Sequence, residues 1–175
     1  MKNKKRLNVG IRKGTRAAVI AALYVSLCIV FAPASSGPVQ VRVSEALTLL
    51  AVFSTEAIVG VTIGCFLSNM IISAPIDMIV GTLATLIAGI CTYRMRRSRV
   101  RGLAVIPSLP PIFINAVIVG AELTLLYFPA GSAPKVWLIN MLSVGAGQIV
   151  SCAILGVPLV FFVERNPLLH KAMTQ

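Results

Sequence analysis

The sequence predicts an all-α membrane protein of six transmembrane helices with both termini in the cytoplasm. Three observations carry this. Of 175 residues 57% are hydrophobic and 12% charged, against about 25% charged in a soluble domain. Charge-free windows recur along the chain at lengths suited to a hydrocarbon core of ~30 Å. The basic residues are gathered into clusters between those windows instead of being spread over one polar face. The chain divides into a basic segment (1–16), a transmembrane domain (17–165) and a tail (166–175).

The basic segment carries seven Lys and Arg residues before the first apolar run. No small-residue cleavage site and polar mature domain follow, so it reads as a cytoplasmic anchor rather than a signal peptide. The first helix spans Ala17–Ala32 and is ended by Pro33. Ala18, Ala22 and Ser26 repeat every fourth residue beside Ala17 and Ala21. Such a stripe admits a close helix backbone, either a partner's or one of the chain's own. A turn-forming loop, Ser35–Ser44, comes next. The apolar run Ala46–Thr55 is only ten residues, and as an α-helix rises ~15 Å, too little to cross alone. It must borrow Ser44 and Glu45, tilt, or lie buried in protein.

Ala57–Ile76 is a 20-residue window holding Gly60, Gly64 and Asn69; Met78–Tyr93 is 16 residues with Gly81, Thr82, Thr85 and Gly89 as small contact positions. Five arginines fall between Arg94 and Arg101. Pro107–Pro111 opens a run carrying Asn115 and Glu122, with Tyr127 and Phe128 as interfacial aromatics at its far end. A turn-rich loop, Pro129–Lys135, precedes the last window, Val136–Val163, 28 residues with Trp137, Asn140, Gln148 and an expected kink at Pro158. The four cysteines lie in apolar segments without CxxC spacing and read as small apolar filler, a metal site or disulfide being the competing reading.

With the N-terminus inside and six crossings, 14 Lys and Arg fall on the cytoplasmic side against Arg42 and Lys135 outside. Five crossings would misplace a basic cluster or the tail. Clusters without interleaved aromatics give no nucleic-acid surface. This topology puts Glu45, Asp77 and Glu122 near external helix ends, Asn69 and Asn140 in the outer half, and Asn115 and Gln148 deeper. Each amide alone could serve helix-to-helix hydrogen bonding. Four amides and three acids together suit a shared polar cavity. With Arg42 as its one cation, the cavity fits a ligand rich in N–H donors better than a phosphate or polycarboxylate. Glu45 is expected to meet the ligand's N–H edge. No GxxxxGK[ST] occurs, so the chain has no nucleotide site of that type. No cofactor or metal is expected.

The segments Val41–Thr48, Gly64–Asn69, Asp77–Thr85, Pro110–Glu122 and Ser143–Gln148 resemble the QueT family, in one register from about Ala17 to Arg165. These are substrate-binding S components of energy-coupling factor (ECF) transporters, assigned to queuosine precursors. The resemblance implies an S-component-like bundle that captures a 7-deazaguanine outside the cell. It implies an ECF module of a membrane scaffold subunit and two ATPases as partners in the lipid bilayer. It implies a docking face at Ala17, Ala18, Ala21 and Ala22, and a loop, Ser35–Ser44, that closes over the ligand. The expected binding set is Arg42, Glu45, Asn69, Asp77, Asn115, Glu122, Asn140 and Gln148.

Two other functions compete. A proton-coupled secondary carrier would use Asp77 or Glu122, but no internal repeat of the kind common in carriers is visible. An intramembrane enzyme would need a nucleophile or metal constellation, yet His170 is the only histidine and lies in the tail.

Overall fold

The computed structural model describes residues 2–35, 41–73, 75–127 and 134–174. Residues 36–40 of the Ser35–Ser44 loop, Phe128 and residues 129–133 of the Pro129–Lys135 loop lie outside the described residues. Among the described residues the regular elements are all helical: α1 (Lys2–Val30), a short turn α2 (Ala32–Ser35), a 3-10 segment (Val43–Val52), α3 (Thr55–Ile72), α4 (Pro75–Arg94), α5 (Val105–Tyr127), α6 (Pro134–Gln148), a π segment (Ile149–Gly156), α7 (Val157–Arg165) and α8 (Pro167–Thr174). Among the described residues, five stretches are long and apolar enough to cross a membrane: Val9–Val30, Thr55–Ile72, Pro75–Arg94, Val105–Leu126 and Pro134–Arg165. Large apolar side chains such as Val30, Ile79, Phe113, Leu125 and Ile139 face outward, while Glu45, Asn69, Asn115, Glu122 and Gln148 are buried. That inversion of a soluble fold suits a hydrocarbon solvent.

Helix α1 and helix α3 run parallel. Lys13 Nζ lies 3.0 Å and Arg16 Nη1 3.7 Å from the Glu56 carboxylate. One turn on, a Cβ at Gly60 would stand 2.7 Å from the Ala17 carbonyl oxygen, and at Gly64 2.7 Å from the Tyr24 Cβ. The GxxxG pair is therefore a groove that seats α1. Two parallel neighbours need the chain between them to return along the bundle. The 3-10 segment makes that return. Its ten residues rise about 20 Å, more than the same count would as an α-helix. The segment takes in Ser44 and Glu45, and Ser44 to Val52 are all buried, so it both borrows those two residues and lies buried in protein.

Three residues per turn also explains how so short a segment holds the bundle together. Side chains three apart stack into ridges. Leu47 and Leu50 join the core formed with Ile20, Tyr24, Val61 and Val163. Leu49 and Val52 join a second core with Ile112, Cys152 and Val160. The third ridge carries Glu45 and Thr48.

The remaining helices alternate in direction. The Thr92 hydroxyl donates to the Pro107 carbonyl at 3.0 Å. Pro111, inside α5, has no N–H for that carbonyl four residues back, so Thr92 supplies the missing donor. On α6, Met141 packs against Gly120. Ahead of Pro158 the helix widens into the π segment, where the Val157 N–H donates to the Cys152 carbonyl. This is how the helix accommodates the proline flagged as a kink. Arg99 then meets Glu164 at 2.7 Å. Lys13 and Arg16, the Arg94–Arg101 cluster and Arg165 thus share one end of the bundle. Helix α1 starts earlier than the sequence suggested and runs through the basic segment. At the same end α8 folds back, with His170 edge-on to Phe53 at 5.8 Å.

Candidate functional site

At the opposite end, Arg42 enters the 3-10 segment in extended backbone (φ −92°, ψ 91°). Its guanidinium reaches across to α3 and α4. It donates to Asn69 Oδ1, to Ser73 Oγ at 3.5 Å and to Asp77 Oδ2 at 3.4 Å. Asn69 Nδ2 in turn donates to the Asp77 carbonyl at 2.9 Å. Gly81 makes room for this cluster: a Cβ there would lie 2.6 Å from Asp77 Oδ1 and 3.0 Å from Asn69 Nδ2. The Arg42 and Asp77 side chains are 17% and 18% exposed, so removing either would leave a poorly solvated charge without its partner.

Deeper in the bundle, Glu45 is 1% exposed. The Tyr24 hydroxyl donates to its Oε1, and Thr85 Oγ1 approaches the same oxygen at 3.5 Å. Thr48 Oγ1 donates to Oε2 at 3.0 Å. Both carboxylate oxygens are thus occupied by side chains from α1, α4 and the 3-10 ridge itself. Hydrogen bonds to a charged acceptor contribute ~1.5–3 kcal/mol each, which offsets the cost of burial. Glu45, expected as the ligand's acceptor, ties three elements together in this structure.

Glu122 contrasts with it. It is 4% exposed, and among the described residues neither carboxylate oxygen has a hydrogen-bond partner. Asp77 and Arg42 are near enough for their charges to act on it. Asn115, seven residues earlier on the same face of α5, is 2% exposed and its Nδ2 is unpartnered. Asp77 Oδ1 is unpartnered as well. Buried polar groups are nearly always paired, and each orphan costs ~1–3 kcal/mol.

Of the expected binding residues the structure brings Arg42, Asn69 and Asp77 into one hydrogen-bonded cluster, with Glu122 in its field. Gln148 belongs with Glu45: its Oε1 lies 3.4 Å from Cys152 Sγ, which also approaches the Glu45 carbonyl at 3.6 Å. Asn140 stands apart on the α5–α6 seam, donating to Thr124 Oγ1 at 3.0 Å. Tyr24, Thr48 and Ser73 were missed as partners. The Glu45–Thr48 spacing was a signal for Thr48, but only once the segment is known to be 3-10. The four alanines divide as well. Ala21 is buried and Ala17 half-buried against α3, whereas Ala18 and Ala22 are exposed.

A family model described as QueT transporter matches residues 15–165. The chain belongs to the QueT transporter family. QueT members are transporters and not enzymes, and with five long apolar helices this one is a multi-pass membrane protein. It is 46% identical over 72 residues to the queuosine precursor transporter QueT of Lactococcus lactis subsp. cremoris (strain MG1363). That match covers 40% of this chain and 43% of the relative. No solved structure matches the QueT chain.

Proposed function

We propose that the chain is the substrate-binding S component of an ECF importer and captures a queuosine precursor, a 7-deazaguanine, outside the cell. The observation that carries this is the buried Glu122 carboxylate with both oxygens unpartnered. A fold leaves such a group open for a ligand that brings its own donors. Family membership supplies the transport role, and the name of the Lactococcus relative supplies the class of ligand.

In this reading the 3-10 segment is the short second crossing of six, and the basic end of the bundle faces the cytoplasm with both termini. The ligand enters from the Arg42 end and meets Asp77, Asn115 and Glu122. Arg42 and Asn69 hold Asp77 in place, and Glu45 with Gln148 supports the floor. Asn140 lines the rim. Ala18 and Ala22 offer the exposed stripe on which a membrane scaffold docks, with Ala17 and Ala21 seating the helix behind it. Two ATPases complete the importer, since binding alone cannot drive uphill movement.

The test is reconstitution. The purified chain should bind a 7-deazaguanine by calorimetry, over guanine and vitamins, yet not accumulate it in liposomes. Accumulation should require scaffold, both ATPases and ATP. An unpaired buried acid also suits a proton-coupled carrier, with Glu122 better placed than the already paired Asp77. Uphill uptake by the lone chain under a pH gradient, lost in Glu122→Gln, would establish that alternative instead.

A further inference from the structure

Within that reading, and resting on it, we infer that Glu122 and Asn115 read one edge of the ligand. Glu122 accepts two adjacent N–H donors, and Asn115 Nδ2 donates to the carbonyl oxygen beside them. Glu45 takes no part in recognition.

The inference starts from which buried atoms remain free. Both Glu122 oxygens and Asn115 Nδ2 are unpartnered, and the two residues are 4% and 2% exposed. They lie seven apart on α5, which returns to the same helix face after two turns, about 10.5 Å along the axis. Side chains from such positions can lean toward one another and leave a slot between their tips. The slot offers two acceptors and one donor. Its complement is a donor–donor–acceptor edge, the arrangement that a cyclic amide and its adjacent exocyclic amine give a guanine-type ring. An adenine-type edge would set a ring acceptor against the carboxylate and be repelled. Carboxylate ligands would be repelled outright.

Glu45 is less suited to this part, because Tyr24 and Thr48 already donate to its two oxygens and Thr85 stands 3.5 Å from one of them. Asp77 has one oxygen committed to Arg42. Its Oδ1 is free for a further donor elsewhere on the ligand, but a single acceptor does not select an edge.

The test removes one donor from the ligand and one acceptor from the protein. Calorimetry on the detergent-solubilised chain compares 7-deazaguanine with 7-deazahypoxanthine, which lacks the exocyclic amine. Wild type should favour 7-deazaguanine by at least about tenfold, the scale of a charge-assisted hydrogen bond. In Glu122→Gln the preference should shrink to within about threefold, because the neutral amide has one acceptor and now presents a donor. In Glu45→Gln, or Thr48→Val if that variant does not fold, the preference should persist. A preference kept in Glu122→Gln, or lost only in the Glu45 and Thr48 variants, overturns the inference and leaves the importer reading standing. Failure of wild type to bind 7-deazaguanine at all overturns the ligand assignment and this inference together.

Discussion

Glu45 and Glu122 are two buried carboxylates in one helical bundle, and their surroundings are opposite. Three hydroxyls converge on Glu45 from α1, α4 and its own ridge. None reaches Glu122. Burial alone therefore does not separate a structural acid from a binding one; the supply of donors does. A saturated acid locks the elements that supply its donors. An unsaturated one stores a desolvation cost that a ligand relieves.

The largest expected effect breaks the saturated side. Glu45→Leu strands the Tyr24 and Thr48 hydroxyls in a core that cannot hydrate them, while Thr85 keeps Cys65 Sγ at 3.3 Å. At ~1–3 kcal/mol per orphaned group, unfolding in detergent should lose several kcal/mol. A stability within error of wild type would mean that the hydroxyl network contributes little. Next comes the groove on which that network depends. Gly64→Val places a branched side chain where even a Cβ would meet Tyr24 at 2.7 Å. Overpacking of this kind costs ~1–3 kcal/mol. Ligand binding by the protein that stays folded should persist, because the Tyr24–Glu45 contact serves the fold; weakened binding at unchanged stability would contradict that. The smallest effect is at the basic end. Glu56→Gln loses ion pairs to Lys13, 59% exposed, and Arg16. A change of ~0.2–1 kcal/mol is expected, shrinking as salt is raised.

Much of this contrast was legible in the sequence and some was not. The five long spans followed from window length and hydropathy, and the Gly60–Gly64 pair announced a close helix contact. The charge clusters, assigned to one side from their asymmetry, share one end of the bundle. The candidate binding residues were found by asking which polar groups sit inside apolar runs. Which acid was free could not be read, because it depends on residues far from Glu45 in the chain: Tyr24 and Thr85 come from other helices. The 3-10 form of Val43–Val52 was hidden for a similar reason. Its apolar run is equally consistent with a short α-helix, and packing on both sides selects the longer-rising form. The start of α1 was set too late because the run of Lys and Arg was read as a cytoplasmic anchor ahead of the helix. Lys, Arg and Leu are good helix formers, and no proline interrupts residues 2–30.

One measurement tests the contrast most directly: thermal unfolding of wild type, Glu45→Gln and Glu122→Gln in detergent, each with and without 7-deazaguanine. A ligand that binds only the folded state raises the midpoint. Glu45→Gln should unfold at lower temperature and, while still folded, keep a ligand-induced rise. Glu122→Gln should unfold no earlier than wild type and lose most of that rise. The reverse pattern, with Glu122→Gln destabilised but still responding to ligand and Glu45→Gln stable but unresponsive, would contradict the account.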